Sequence, residues 1–502
     1  MNPIRWIAGL LRIRKTRVVS AAGFLSRLYA GAKSGRLWSS WISSGLSANE
    51  EVKHSLRMLR DRSRQLERDD GYVKRYLNLC ETHVVGAEGM KLENRARMRD
   101  DSRRLDEEAN NAIEEAWAAW CRPGVCTGDG TTSFRDIERL HIRCVLRDGD
   151  FVARFIRGAA NREKLQMQVL DAEQLDDQYD TDLGEGKVVR MGVEISPLGN
   201  PVAYHILPYH PGDSRLGHSY NSRKRFPADE ILHSFMRTRP GQVRGVPEYH
   251  TAMTTLHQAG SYIEAAIINA RVGATNMGFF RTDSGDELPG EKKEGQKRIT
   301  DAAPGTFEEL PKGWSLEKWD PKYPDEQFPH FIRAINEKAS VDFDLSYATC
   351  TGDLSKVSFS SIRKGTQQDE EKWTMFQAFA MWSFNYRVFA KWLLHALATD
   401  VLPYGVAEFE RLCRPEWLPR KWGYVNPIQD VQAQVVAIEN NLTTLTWELA
   451  KRGKTLEDLI KTRQREKLLL DQAGIPMLGL YSELLEESTK ETSETSSGIP
   501  GE

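Results

Sequence analysis

Residues 239–277 read RPGQVRGVPEYHTAMTTLHQAGSYIEAAIINARVGATNM. Glycine and proline punctuate the first nine positions, and Pro247 suits the first turn of a helix, where a missing N–H costs nothing. After it Tyr249, Ala252, Met253, Leu256, Ala259, Ile263, Ala266, Ile267, Ala270, Ala274 and Met277 recur every three to four residues, the period of one helix face. A helix over 247–277 would run for about 45 Å. Ala259, Gly260, Ala266, Ala270, Gly273 and Ala274 keep its surface shallow, so that another helix can approach closely. The same periodicity would serve a central helix inside a single-chain core.

Downstream, residues 278–327 are rich in Gly, Pro and charge, with apolar pieces at Phe279-Phe280 and Trp314 to Trp319. They predict a small strand-and-loop insertion. Helical spacing resumes at Phe328, Phe331, Ile332, Ile335 and Ala339, giving a helix over 328–346. Residues 347–360 break it, with Thr351-Gly352-Asp353-Leu354-Ser355 as a loop. A second very long helix is expected from Ser360 to Ala398, carrying Trp373, Phe376, Phe379, Trp382, Tyr386, Phe389 and Leu393. It would span about 55–60 Å, with Gly365 as its weak point or kink. Asn426-Pro427 opens a further helix, whose apolar face is Val431, Val435, Ile438, Leu442, Leu445 and Leu449 and whose end is Gly453. Thr455 with Asp458 opens another, closed by Gly474 and Pro476. Residues 479–502 form an acidic tail; from Glu486 onward it is Ser, Thr, Glu and Gly with almost no apolar content, a composition that predicts disorder.

Upstream, residues 50–246 read as mixed α+β. Val52, Leu56 and Leu59 are helically spaced, as are Tyr72, Val73, Tyr76, Leu77, Cys80 and Val84, and then Ile113, Ala116, Trp117 and Trp120. Ser133 with Asp136 forms a capping-box pattern for a helix reaching Arg147. The turn Asp148-Gly149-Asp150 leads into strand-like runs at Phe151–Ile156, Leu165–Leu170, Val188–Ile195, Val202–Leu207 and Ile231–Met236. Residues 1–49 form an arm: Arg5, Arg12, Arg14, Lys15, Arg17, Arg27, Lys33 and Arg36 occur before any Asp or Glu, with Trp6, Trp38 and Trp41 between them. Such an arm suits nucleic acid or a neighbouring subunit.

The chain has 502 residues, 28% of them charged, with a net charge of −2 and 13 tryptophans, which fits a folded, surface-rich protein. Val18–Leu25 falls far short of the roughly 18–20 apolar residues of a membrane helix, and basic residues interrupt Trp6–Leu11 too soon for a secretory signal. The six cysteines are expected as reduced thiols. Gly453-Lys454-Thr455 imitates the end of a phosphate loop, but Glu448 stands where the first glycine should be; Gly31-Ala32-Lys33-Ser34 misses differently. Asp369-Glu370-Glu371 would fan around a helix rather than converge on a metal, and strand alternation would scatter His205, His210 and His218. No catalytic constellation, metal site or cofactor site is expected. That points to a structural or conduit role.

Several segments, in order, resemble one family: the lambda-type portal proteins of tailed bacteriophages. Arg239 to Pro247 is similar to its R-x-G-Q-x-R-G-x-P approach to a long helix. Phe328–Asp344, Thr351-Gly352-Asp353-Leu354-Ser355 and Ser360-Ser361-Ile362-Arg363 resemble its helix, "TGDLS" loop and "SSxR" helix start. Trp422–Pro427 and the region of Gly453, Thr455 and Asp458 resemble its C-terminal helices, and the likeness covers roughly residues 50 to 475. One departure is Asn440-Asn441-Leu442-Thr443, where the family often carries a glycine.

The resemblance implies a mainly α, α+β portal fold without enzymatic activity. It assigns the wing to 50–246, stem helices to 247–277 and 328–346, the clip to 278–327 and the tunnel loop to 347–360. A long wing helix and the segment after it fall to 361–424, and a helical crown facing the capsid interior to 425–478. It further implies a ring, typically of twelve subunits, at one capsid vertex. Double-stranded DNA passes through it, a separate terminase ATPase docks on the clip, and head-tail adaptors and the capsid and scaffold proteins are further partners. No membrane is involved; assembly takes place in the host cytoplasm. Lys356 in the tunnel loop, with Arg363 and Lys364, are the candidates for sparse phosphate contacts. Other readings are a different head connector or minor capsid component, which would lack long channel-lining helices, and a nuclease using Asp369 to Glu371.

Overall fold

The computed structural model of the chain describes residues 36, 45–100, 104–213, 222–274, 278–282, 314–318, 327–355, 358–422, 427–451 and 456–473. Helix α1 (Ala48–Asp69) starts at Ser47, whose hydroxyl accepts from the Glu50 amide. Asp70 closes α1 and caps α2 (Gly71–Cys80) through the amides of Tyr72 and Val73, and α2 continues into a π-turn at Glu81–Val85. Strand β1 (Lys91–Asn94) and helix α3 (Glu107–Trp120) follow. Helix α4 (Phe134–Asp148) carries the expected reciprocal capping box of Ser133 and Asp136, and Gly149, at φ 85°, stops it.

The strands are β2 (Asp150–Arg157), β3 (Leu165–Leu170), β4 (Thr181–Gly184), β5 (Lys187–Arg190), β6 (Val193–Ile195), β7 (Pro201–Ile206), β8 (Lys224–Pro227) and β9 (Ile231–Phe235). β2 lies between β3 and β9 in one antiparallel sheet, and β4 to β8 form a five-stranded meander. The run Val188–Ile195, expected as one strand, is two. Met191 and Gly192 both take positive φ, 45° and 79°, and reverse the chain there.

Helix α5 (His250–Ala274) begins three residues after Pro247, which is therefore not its first turn; the Pro247 carbonyl instead accepts from the His250 amide. Strands β10 (Gly278–Thr282) and β11 (Trp314–Lys318) pair antiparallel, matching the strand-and-loop reading of 278–327 where it is described. Helix α6 (Phe328–Asp342) is shorter than the expected 328–346, and five residues of the expected loop form a helix, α7 (Tyr347–Thr351). The long rod is α8 (Phe359–Ala380), a π-turn at Met381–Asn385 and α9 (Tyr386–Ala398). Its irregularity lies at the π-turn and not at Gly365. Gly365 answers a packing need instead: a Cβ there would come within 3.0 Å of the Ser346 Cβ.

Helix α10 (Phe409–Leu412) and strand β12 (Pro415–Leu418) follow, and β12 pairs with β1 across more than 300 residues of sequence. The helix expected from Pro427 to Gly453 is two, α11 (Pro427–Glu439) and α12 (Leu445–Lys451), before α13 (Leu456–Ala473). Asn441, at φ 57°, makes the break; asparagine is the residue after glycine that best tolerates this backbone. Residues 1–35, 37–44 and 474–502, which hold most of the basic arm, the end of the crown segment and the acidic tail, lie outside the described residues, as do Lys356, Gly453 and His218.

Two cores hold these elements. The larger joins α2, α3, α4 and the rod through Trp117, Trp120, Phe134, Phe384, Phe389 and Trp392. Trp117 packs edge-on against Phe389 and Trp392, with centroids 5.5 and 5.1 Å away. A buried aromatic ring withdraws about 150–250 Å² from water, about 4–6 kcal/mol before entropy is charged. The smaller core, Val152, Leu175, Met191, Val193, Tyr204, Ile206, Ile231 and Val243, lies between the two sheets and the loop before α5.

Candidate functional site

The loop before α5 is held by a buried ionic hub. Arg244 is fully buried. Its Nε donates to Asp150 Oδ2 at 2.7 Å, and its remaining nitrogens donate to the carbonyls of Leu175, Met191 and Ala172 at 2.9–3.1 Å. The same Asp150 accepts from Arg60 on α1 and from the Gly245 amide, and meets His233 Nε2 at 3.1 Å. Burial opposes ionisation of Asp150, but Arg244, His233 and Arg60 overcome it and hold its carboxyl far below the usual range. Beside the hub two backbones cross. A Cβ on Gly245 would lie 2.0 Å from the Gly149 carbonyl oxygen, and one on Gly149 would lie 2.5 Å from the Val246 nitrogen. Gln242 shapes the turn, accepting from the Thr238 and Arg239 amides and donating to the Arg244 carbonyl.

Helices α5 and α6 rise from this root as an antiparallel pair. Tyr249 and Phe343 pack at one end, with Tyr76 stacked on Phe343 at 4.8 Å, and Tyr262 meets Phe328 and Phe331 further along. Of the small residues expected to line a helix contact, Ala259 and Ala266 are buried, Ala270 is half-buried and Gly260 is exposed; Gly273 and Ala274 are the last two residues of α5. Lys372 ties the base, donating to the Phe343 carbonyl and to Glu248, which also accepts from the Tyr76 hydroxyl.

The tunnel-loop candidates come next along the chain. Ser346 caps α7, and Asp369 on α8 accepts from both its amide and its hydroxyl at 2.7 Å. Thr351 Oγ1 donates to the Tyr347 carbonyl and accepts from the Asp353 amide. Gly352 ends α7 at φ 77°. Asp353 accepts from the Ser355 amide and hydroxyl, which holds its carboxyl below the usual range. Leu354 is left exposed. Ser358 opens α8, and Arg363 and Lys364 stand exposed on its first turns. Thr351–Ser355, Arg363 and Lys364 are thus brought to one end of the rod; the position of Lys356 is not among the described residues.

The chemistry-bearing clusters are accounted for differently. Asp369 is buried and spent on Ser346, Glu370 is half-buried and Glu371 is exposed, so the three fan apart as expected. Asp171, Glu173 and His210 do come together, yet Arg64 already binds both carboxylates, at 2.9 and 3.1 Å. His205 lies apart from them, packed on Tyr179. All six cysteines are free thiols, and burial pushes Cys80, Cys126 and Cys144 up to about 12, which suppresses the reactive thiolate. Among the described residues no helix is long and apolar enough to cross a membrane.

Sequence reasoning passed over the Arg244–Asp150 hub and the work of Asp369. The signal for the hub was present in two pieces: the Arg244-Gly245 pair before the helix and the Asp148-Gly149-Asp150 turn, each read alone.

Residues 34–377 match the family described as phage portal protein, lambda family. A probable portal protein of Halomonas phage phiHAP-1 is 30% identical over 460 residues, spanning 90% of this chain and 88% of that one. Portal protein B of Escherichia phage lambda is 22% identical, spanning 82% and 84%. Among solved structures, a chain from the virion of a native gene transfer agent particle superposes with a TM-score of 0.40 at 14% identity, covering 82% of this chain and 94% of that one. With the family match extending over more than half of its length, this chain belongs to the lambda family of phage portal proteins.

Proposed function

We propose that twelve copies of this portal protein surround a channel at one capsid vertex, with α5 and α6 standing around the bore and α8–α9 reaching outward into the wing. The observation that carries this reading is the antiparallel α5–α6 pair, rooted at one end on the Arg244–Asp150 hub and bearing the β10–β11 strand pair beyond the other. A rooted rod transmits load; a loop would not. In this reading residues 278–327 receive the terminase during packaging and the head-tail adaptors afterwards. The wing and crown meet capsid and scaffold proteins while the particle assembles in the host cytoplasm.

Duplex DNA has to slide both ways through such a bore. Dense Lys and Arg would grip each phosphate, whereas sparse phosphate contacts position the duplex without reading its bases. The net charge of −2 suits that demand. Lys356, Arg363 and Lys364 supply the sparse contacts, and the self-bonded turn of Thr351 to Ser355 stiffens the segment that presents them. The test is Lys356→Glu. Rings form as in the wild type, seen by electron microscopy, while packaged or retained DNA per particle falls. Wild-type DNA content in that variant removes Lys356 from the mechanism.

A further inference from the structure

Two residues 339 positions apart close a clasp at the end of α2. His83 sits in the π-turn Glu81–Val85, and its ring stacks on Trp373 of α8 with centroids 3.8 Å apart and planes 3° from parallel. Trp422 lies on the segment that leads to α11, and its Nε1–H donates to His83 Nδ1 at 2.8 Å. The imidazole is thus held by the face of one tryptophan and the N–H of another.

The backbone around the clasp depends on it. A helix end leaves carbonyls without partners of their own, and here side chains distant in sequence take them. Arg420 Nη1 donates to the Thr82 carbonyl at 2.6 Å, and Gln377 Nε2 donates to the carbonyls of His83 and Arg420 at 3.0 and 2.8 Å. Gln377 is fully buried, so it ties the π-turn and the outgoing segment together at a dry point.

An indole N–H only donates. His83 Nδ1 must therefore be the bare nitrogen, with the ring's proton on Nε2. A second proton on the imidazole sets N–H against N–H, and the bond to Trp422 is lost. The charged neighbours do not offset that proton. Glu81 on the same turn is bound to Arg143 of α4, and Arg139 of α4 donates to the carbonyls of Gly86 and Ala87. Lys372 of α8 is held by Glu248 and the Phe343 carbonyl. On the outgoing segment Arg420 and Lys421 are both cations.

We propose that His83 and Trp422 form a proton-operated latch, closed while the imidazole is neutral and released on acidification, which fixes where the segment leading to α11, α12 and α13 leaves the rest of the protomer. The latch lies within one chain and stands independently of the ring reading. Burial and the charge of Arg420 lower the His83 value from 6.5 to about 4. The released imidazole takes a proton more readily than the latched one, so the latch is complete above about pH 6.5 and weakens as pH falls toward 4.

Hydrogen exchange on the full-length protein, corrected for the chemical rate at each pH, reads the latch at 81–86. From pH 7.5 to 5.0 exchange there rises about ten-fold; the full displacement gives roughly 25-fold, and solvent around a half-buried ring screens part of it. His83→Asn keeps an acceptor near the place of Nδ1 but cannot take the proton, and its exchange at 81–86 stays level. Trp422→Phe keeps a ring without the N–H; it exchanges fast already at pH 7.5 and gains little on acidification. Glu138, whose carboxyl bonds Asn385 and the Met90 amide, cannot imitate the rise, because the fold holds its proton more tightly and acid works there in the opposite sense. Equal wild-type exchange at the two pH values, a wild-type step that survives in His83→Asn, or wild-type protection in Trp422→Phe at pH 7.5 each overturn the latch.

Discussion

Replacing Arg244 by alanine strips the root of α5 of its central cation. The buried pair with Asp150 is broken, which costs about 3–5 kcal/mol when one partner is removed. Arg60 still reaches Asp150 Oδ2, and the Gly245 amide and His233 still reach Oδ1, so the carboxylate is not abandoned and the low end applies. Against that, the carbonyls of Leu175, Met191 and Ala172 lose their donor, at about 1 kcal/mol each where water cannot follow. The expected sum is about 6 kcal/mol. Arg244→Lys keeps the charge but not the planar fork and recovers only part of it. Hydrogen exchange on the full-length protein reads the effect locally: protection falls at 241–249 and at 172–191, and urea unfolding shifts to lower concentration. An Arg244→Ala protein within 1 kcal/mol of wild type, with unchanged exchange at 241–249, would refute the claim that this hub anchors the helix pair.

Asp369→Ala removes the acceptor of the Ser346 amide and hydroxyl and so loosens the cap of α7, costing about 1.5–3 kcal/mol locally for hydrogen bonds to a charged acceptor; exchange at 346–352 rises while rings still form, and an unchanged exchange profile would show that Asp369 does not order the loop. A nuclease assay with added divalent cations is expected to be blank for both proteins, and cleavage by the wild type that is lost in Asp369→Ala would give this carboxylate a catalytic role. Glu138 is buried and accepts from Asn385 in the π-turn and from the Met90 amide, and burial raises it to about 7 from an ordinary 4.5. Its folded value exceeds its unfolded one, so the fold holds the proton more tightly and loses stability as pH rises from about 4.5 through 7, by about 3 kcal/mol in all. Glu138→Gln flattens that slope in denaturation curves taken at several pH values; an unaltered slope assigns the pH dependence elsewhere.

Helix periodicity, the capping box at Ser133 and the short strands around Phe279-Phe280 and Trp314 were legible because each is a local property, set by side chains a few positions apart. The order of segments around Arg239–Pro247 and Thr351–Ser355 was enough to place the chain in its family. What failed were boundaries and breaks. Pro247 stops short of α5, Met191-Gly192 splits a strand, Asn441 splits a helix, and the rod's irregularity falls at 381–385, where Asn385 reaches Glu138. Each of those is decided by a partner distant in sequence or by a single backbone angle that several residue types can adopt.

The linear chain determined the elements, their apolar faces and the absence of recognisable catalytic patterns, because composition and periodicity act through nearest neighbours. Only the folded molecule decided that Arg244, Arg60 and His233 meet on Asp150, that Asp369 serves Ser346, and that Gly260 looks onto open space. Those facts depend on groups between 23 and 94 residues apart being brought within 3.1 Å, or on nothing being brought there at all. Burial then fixes their worth, since a charge pair means little until water is excluded from it.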